Sequence, residues 1–271
     1  MLLCDSHFHT LISPDSKAPL ADMARAAAEA GMRDVCVTDH CDLFDYYGKP
    51  VTQFDWAAAM EQYHAALETL PRGLSLRLGL ELGSAPCDPD TARRILREGG
   101  GELDFVLGSL HNWVGLEDNR DLYFSDFTNS PELCRKAVEN SLQYTWSLVT
   151  DYPDCYDSLA HIIYPLRYIE RDGQHLSFDL YEEQVRAIFT RMAQTGHALE
   201  VNTCRGTSVE VWLPILRWFK ECGGELVTLG SDAHRPKDMA KGIPQAAELL
   251  REAGFRYATV FARRKPIPFP L

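Results

Sequence analysis

The feature that most constrains this chain is an alternation of short apolar runs with longer amphipathic stretches, in which a histidine, aspartate or glutamate follows most of the runs. The runs Met1–Cys4, Asp34–Thr38, Leu74–Leu80, Asp104–Leu107, Asp157–Ala160, Ala198–Val201, Glu225–Leu229 and Tyr257–Phe261 have the length and composition of strands. Between them, Leu20–Ala30, Phe54–Leu70, Pro89–Glu98, Pro131–Val149, Phe178–Gln194, Val209–Glu221 and Pro244–Ala253 read as helices, several opened by Asp, Ser or Pro and followed by glycine. Such a βα repeat builds parallel strands. No glycine-rich phosphate loop follows the first strand and no segment resembles a linker, so the expectation is a closed or nearly closed α/β barrel rather than an open nucleotide-binding sheet. At 271 residues and 45% hydrophobic content the length accommodates one barrel or two small domains; the unbroken repeat favours one domain over residues 1–271. The longest irregular stretch, His111 to Asn129, contains Trp113, Asp118, Asn119, Arg120 and Asp121 and has the length of a lid or binding loop.

The residues that end the strands carry the chemistry. His7 and His9 are two positions apart at the end of the first strand, so both side chains leave the same face and can reach one ion. Asp39-His40, Glu81, His111, His161 and the pair Asp232/His234 follow later strands in the same way. A parallel barrel opens all its strand C-termini on one face, which brings these distant positions together. A single histidine near a strand end reads as a hydrogen-bonded structural residue, but six of the nine histidines share this placement, with Glu81 and Asp232 beside them. A shared metal site explains that bias and core packing does not. His64 inside a helix, His175 in a polar loop and His197 ahead of a strand are expected to be structural.

The formal net charge of −12, from 39 acidic and 27 basic side chains, speaks against a surface that grips long nucleic acid. The tight basic run Arg263-Arg264-Lys265 precedes Pro266, Pro268 and Pro270 and reads as a solvated tail. Eight cysteines are scattered without a C-x-x-C pair, as reduced, mostly buried thiols would be. No signal-like segment follows Met1 and no apolar run approaches about 18 residues, so a cytoplasmic protein with a small soluble substrate and no membrane partner is expected.

Taken in order, Asp5-Ser6-His7-Phe8-His9-Thr10, Thr38-Asp39-His40, Gly79-Leu80-Glu81, Gly108-Ser109-Leu110-His111, Ala160-His161 and Gly230-Ser231-Asp232-Ala233-His234 resemble the motifs of the PHP (polymerase and histidinol phosphatase) superfamily, from residue 1 to about residue 235. The resemblance implies a distorted (β/α)7 barrel holding three metal ions, usually zinc, manganese or iron. It further implies that His7, His9, Glu81 and Asp232 hold the first ion and that Glu81 bridges to a second, held also by His111 and His161. Asp15, His40 and His234 would hold the third. Asp15 also reads as a helix N-cap or turn residue in Ser13-Pro14-Asp15-Ser16. Asp5 and Asp39 are expected to orient neighbouring ligands, and Glu81, Asp232 and His234 to serve catalysis.

Three divalent ions bring six positive charges and Asp15, Glu81 and Asp232 return three, leaving about +3, which suits a dianionic phosphomonoester. Metals about 3.5–4 Å apart can activate a water and clamp phosphoryl oxygens, so metal-bound hydroxide is the expected attacking group and the sequence assigns no general acid. Arg167 and Arg205 lie near strand ends, where a guanidinium fork matches two phosphate oxygens, and in the histidinol-phosphatase branch similarly placed arginines bind phosphate. That branch commonly carries aspartate two positions after the His161-type histidine, where this chain has Ile163.

The leading expectation is hydrolysis of L-histidinol phosphate to L-histidinol and phosphate in histidine biosynthesis. Such a substrate asks for an acidic or aromatic rim, for which Asp42, Asp45, Tyr46, Tyr47 and Trp113 are candidates, though each alone reads as ordinary surface loop. The alternatives are a phosphatase or exonuclease acting on nucleotides or short oligonucleotides, and a non-catalytic metal-binding PHP module. An amidohydrolase would need a carbamylated lysine on a strand, and no lysine ends an expected strand.

Overall fold

The computed structural model describes residues 3–271; Met1 and Leu2, which begin the first expected strand, lie outside the described residues. In chain order the elements are β1 (Leu3–Asp5), α1 (Leu20–Glu29), β2 (Met32–Val37), β3 (His40–Asp42), α2 (Trp56–Glu68), β4 (Ser75–Gly83), α3 (Pro89–Gly99), β5 (Phe105–Ser109) and α4 (Pro131–Asp151). They continue with β6 (Ser158–Leu159), α5 (Tyr164–Arg171), α6 (Glu182–Thr195), β7 (Ala198–Asn202), α7 (Trp212–Glu221), β8 (Val227–Gly230), α8 (Ile243–Glu252), β9 (Tyr257–Ala262) and β10 (Lys265–Pro270).

The wall is an all-parallel sheet in the order β1-β2-β4-β5-β6-β7-β8. β3 pairs with the upper half of β4, His40 opposite Glu81, while β2 pairs with its lower half, so β2 and β3 are one strand interrupted at Thr38-Asp39. Seven strand positions result. The ring closes between its ends, where Ser6 N donates to Leu229 O at 2.7 Å, Asp232 N to His7 O at 2.8 Å and His9 N to Ala233 O at 2.9 Å. Helices cover the outside, so the strands are buried on both faces and read as near-continuous apolar runs; every residue of β5 and β7 is buried. Local signals place the helix ends: Asp55 and Asp88 accept from Ala58 N and Thr91 N at the starts of α2 and α3, and left-handed Gly196 stops α6.

Three expectations are corrected. The eighth apolar run, β9, does not enter the wall but pairs antiparallel with β10. The basic run is not a solvated tail: Arg263 and Arg264 have φ of 50° and 59°, the left-handed conformation that a two-residue hairpin turn demands, and Lys265 begins β10. Pro266, Pro268 and Pro270 alternate along β10, so their missing N–H groups fall on one strand side, which the edge leaves unpaired. Finally, α5 lies in a segment where no helix was expected. Its eight residues are too few to show a period, and several of its larger side chains face a cavity instead of the core.

The hairpin plugs the N-terminal end of the ring. Phe261 stacks on Phe105 at 5.0 Å between centroids, Arg263 N donates to Asp104, and the Arg264 guanidinium bonds both oxygens of buried Asp157 at 3.1–3.2 Å. Arg264→Ala strands that carboxylate; because the Arg264 side chain is 28% exposed, water recovers part of the loss. The expected cost is about 2 kcal/mol, a fall of roughly 4 °C in melting temperature, with the function of the opposite end intact. Calorimetry on both proteins checks it. All eight cysteines are free and six are buried, as their scatter suggested. Among the described residues no helix is long and apolar enough to cross a membrane.

Candidate metal centre

The nine residues expected as ligands converge at the C-terminal end of the ring. His7 and His9 follow β1, His40 opens β3, Glu81 lies within β4, His111 and His161 follow β5 and β6, and Asp232 and His234 follow β8. Asp15 reaches over from the loop before α1, and α1 is capped by Pro19, so Asp15 caps no helix. Four trios of donor atoms each lie within 4.8 Å of one another: His7, His9 and Asp232; His7, Glu81 and His161; His40, Glu81 and His111; and His9, His40 and His234. Asp15 joins the last of these, its Oδ2 2.9 Å from His234 Nε2 and 3.6 Å from His40 Nε2.

The hydrogen bonds around the rings fix which nitrogens are bare. His7 Nδ1 donates to Glu200 Oε1 at 2.5 Å, leaving a lone pair on Nε2. Ser13 commits its hydroxyl proton to Asp39 at 2.6 Å, so its oxygen accepts from His9 Nδ1 at 3.0 Å and the His9 Nε2 lone pair is also free. His111 donates through Nδ1 to Asp42 at 2.8 Å, and His234 through Nδ1 to the Asp232 carbonyl at 3.0 Å. Across the cluster, His7 Nε2 lies 3.1 Å from His9 Nε2, and His111 Nε2 lies 3.2 Å from His161 Nε2.

Glu81, fully buried, lies within ion-pair distance of five histidines, yet its Oε1 has no donor in hydrogen-bonding geometry. Lone pair against lone pair is repulsive in a buried cluster unless a proton or a metal cation stands between them. Two ligand atoms each about 2.1 Å from one ion, at 90–110°, stand about 3.0–3.4 Å apart, the spacing seen here. The donor set fits a metal centre.

The electrostatics agree. Burial opposes charge on Glu81, but His7, His40 and His111 outweigh it and hold the carboxyl well below the usual range. Asp232 is held low in the same way, by His7, His9 and Arg167 against its burial. Burial, with His234 and His40 nearby, pushes His9 down to about 3, so it is neutral at pH 7. Burial would also lower His7, yet Glu200, Glu81 and Asp232 around it raise it well above its ordinary value: the cluster carries a negative potential that draws cations.

Residues beyond the nine complete the site. Asp39 acts on His9 through Ser13 and also accepts from Thr10 N and Oγ1. Asp5 holds backbone, accepting from Ser231 N and Ala240 N, and reaches His7 only through its N–H at 3.4 Å. The carboxylate that orients His7 is Glu200, which also accepts from His161 N at 2.8 Å. Sequence reasoning missed this role, although a glutamate within a short, fully buried strand was the available signal. Gly230 makes the arrangement possible: a Cβ there would stand 2.3 Å from Glu200 Oε1 and 2.6 Å from His7 Cβ. Gly230→Ala is therefore expected to displace the Glu200–His7 pair and lower metal affinity roughly 10–100-fold, measured by competition with a chromogenic chelator.

A cavity of about 850 Å³ opens over the cluster, and both arginines line it. Arg167, on α5, donates to Asp232 at 3.0 Å and to Asn202 at 2.6 Å, and its Nε is buried without a partner. Arg205 follows β7 in a left-handed conformation with φ of 58°. The expected rim is corrected in part. Asp42 and Tyr46 line the cavity, but Asp45 ties a turn through Tyr47 N and Lys49 N, Tyr47 is 68% exposed on the outer lip, and Trp113 is buried with its indole on Ser125. Ile163 is buried beside α5. His64 pairs with Glu102 on the surface, His175 is exposed, and His197 stacks on Tyr156 at 4.2 Å and bonds Pro153 O, away from the cluster.

Known proteins share this architecture. The chain is 27% identical over 259 residues to a probable histidinol-phosphatase of Clostridium acetobutylicum, covering 94% of this chain and 95% of that relative. It is 24% identical over 270 residues to the histidinol-phosphatase of Lactococcus lactis, covering 96% and 95%. The crystal structure of the Lactococcus lactis histidinol phosphate phosphatase, complexed with zinc, L-histidinol and phosphate, superposes with a TM-score of 0.82 at 24% identity, covering 98% of each chain. A putative histidinol phosphatase from Listeria monocytogenes superposes with a TM-score of 0.74 at 17% identity, covering 89% and 99%. These matches to a nearly closed barrel settle the fold as that of these phosphatases. With the PHP domain profile matching residues 5–204, most of the ring and most of the donor residues, the chain belongs to the PHP domain family.

Proposed function

We propose that the chain is a metal-dependent phosphomonoesterase that hydrolyses L-histidinol phosphate to L-histidinol and phosphate. The observation that carries this reading is the convergence of nine donor residues, with ring nitrogens 3.1–3.2 Å apart, beneath a cavity that also presents Arg167 and Arg205. Relatives that it resembles along nearly its whole length are named for that substrate, and others for phosphatase activity alone.

His7, His9, Glu81 and Asp232 are assigned to a first metal ion, Glu81 with His111 and His161 to a second, and Asp15, His40 and His234 to a third; zinc, manganese and iron all suit imidazole and carboxylate donors. His40 sits between two of these groups, its Nδ1 3.0 Å from Glu81 and its Nε2 toward Asp15. Bound there, the ions supply Lewis acidity, lowering the pKa of water and screening the phosphoryl charge.

The chain's own residues do the rest. Glu81, Asp232 and His234 serve catalysis by holding the ions against the reacting phosphate. Asp232 and Asn202 fix the Arg167 guanidinium at the cavity wall, and its remaining N–H groups, with Arg205, bind phosphoryl oxygens. In the balanced reaction the oxygen of water forms a bond to phosphorus, the bond from phosphorus to the ester oxygen breaks, and one proton of the water ends on the leaving alcohol. The test offers the metal-loaded protein histidinol phosphate, a 3′,5′-bisphosphonucleotide and a short DNA strand in equal amounts. Histidinol phosphate is expected to be cleaved with the highest kcat/KM, and a preference for either nucleic-acid substrate overturns the proposal.

A further inference from the structure

Two carboxylates lining the cavity form no ion pair among the described residues: Glu170, which is exposed at the end of α5, and Asp121, which is buried. Glu81, Asp232, Asp15 and Asp42 face histidines, and Asp238 pairs with Lys241 at 2.6 Å. Asp121 is 6% exposed and lines the same cavity, yet among the described residues it forms no ion pair with lysine or arginine. It is held by neutral donors instead: Oδ1 accepts from Tyr123 N at 2.7 Å and from the Tyr164 hydroxyl at 3.3 Å, which in turn accepts from Tyr168 at 2.8 Å.

Tyr164 links this carboxylate to the phosphate end. Its ring packs 4.6 Å and 5.1 Å from the rings of His111 and His161, and the Arg167 guanidinium lies 5.6 Å from the ring centroid. A second open group lies nearby: the Tyr46 hydroxyl is buried without a partner and lines the cavity, beside Phe124 at 6.2 Å between centroids. A desolvated carboxylate, an unpaired hydroxyl and aromatic faces together complement a protonated nitrogen.

We infer that Asp121, with Tyr46 and the neighbouring aromatic rings, is the leaving-group site and selects phosphomonoesters whose alcohol carries a cationic nitrogen. This rests on the phosphomonoesterase reading, which supplies the phosphate end; the cationic nitrogen then docks on Asp121 while the arginines hold the phosphoryl group.

The test compares kcat/KM on three phosphomonoesters: histidinol phosphate, phosphoethanolamine and phenyl phosphate, the last without a cation. Wild type is expected to prefer the cationic substrates. Asp121→Asn is expected to lower the ratio of histidinol phosphate to phenyl phosphate about 30-fold, mainly through KM, and Asp121→Glu to recover part of it. Tyr46→Phe, which removes only a hydroxyl, is expected to lower the ratio about fivefold and keeps the test open should Asp121→Asn fold poorly. An unchanged ratio in these variants, or no preference for cationic esters in wild type, overturns the inference. Loss of preference in the variant for phosphoethanolamine, with histidinol phosphate a poor substrate of wild type, supports the inference and overturns the histidinol assignment instead. Wild-type protein that cleaves no monoester overturns the phosphatase reading itself.

Discussion

Glu81→Gln is expected to leave a folded barrel that hydrolyses phosphomonoesters at least about 10³-fold more slowly, a loss of about 4 kcal/mol in transition-state stabilisation. The side chains differ by little in volume, so packing is conserved while a negative charge and one acceptor oxygen vanish. Both oxygens are in use: Oε2 faces His7, His9 and His40 at 3.0–3.6 Å, and Oε1 faces His111 and His161 at 3.0–3.2 Å. An amide presents N–H groups to at least one set of bare nitrogens, satisfying them without a cation. Elemental analysis should therefore show fewer bound ions per chain, and steady-state kinetics should show the loss in kcat. If the variant keeps its full complement of metal and more than a tenth of wild-type activity, Glu81 is not the shared ligand.

Removing the metal has the second largest expected effect, this time on stability as well as turnover. The donor cluster brings ring nitrogens within 3.1–3.2 Å of one another, and metal that binds only the native site stabilises by mass action. At free metal about 10³ times the dissociation constant, one site contributes about 4 kcal/mol, so stripping with dipicolinate should lower the melting temperature by roughly 10 °C and abolish hydrolysis. Both should return on adding zinc or manganese. A chelated protein that melts with the holoprotein shows that the cluster is held together by hydrogen bonds alone.

The donor residues were legible because a parallel barrel converts one local rule, a polar residue just past an apolar strand, into spatial proximity. That rule found His7, His40, Glu81, His111, His161 and Asp232 without knowledge of any pairing. It could not find Glu200, which lies inside β7 rather than after it and whose role depends on β1 lying alongside β8. Nor could it find β3, where the strand that begins as β2 resumes after two residues, because a three-residue segment carries no period. Trp113 was expected at a rim because it follows His111 in a polar loop; the loop folds back, Trp113 N donating to Arg120 O, and the indole is covered. The C-terminal prolines suggested an unstructured tail, yet their alternate spacing is compatible with an edge strand once β9 offers a partner. Convergence of donor residues was legible wherever one strand end sufficed, and features that depend on two distant segments together were not.

The seam of the ring carries a consequence for how the protein matures. The bonds that join its ends, Asp232 N to His7 O and Ser231 N to Asp5, lie among the donor residues and connect positions as much as 226 apart. During synthesis at about 5–20 residues per second, the first two histidines therefore wait many seconds for the strand that completes their pocket. Metal capture is tied to closure of the ring, and a nascent chain has little high-affinity metal to misplace before β8 and the residues after it emerge.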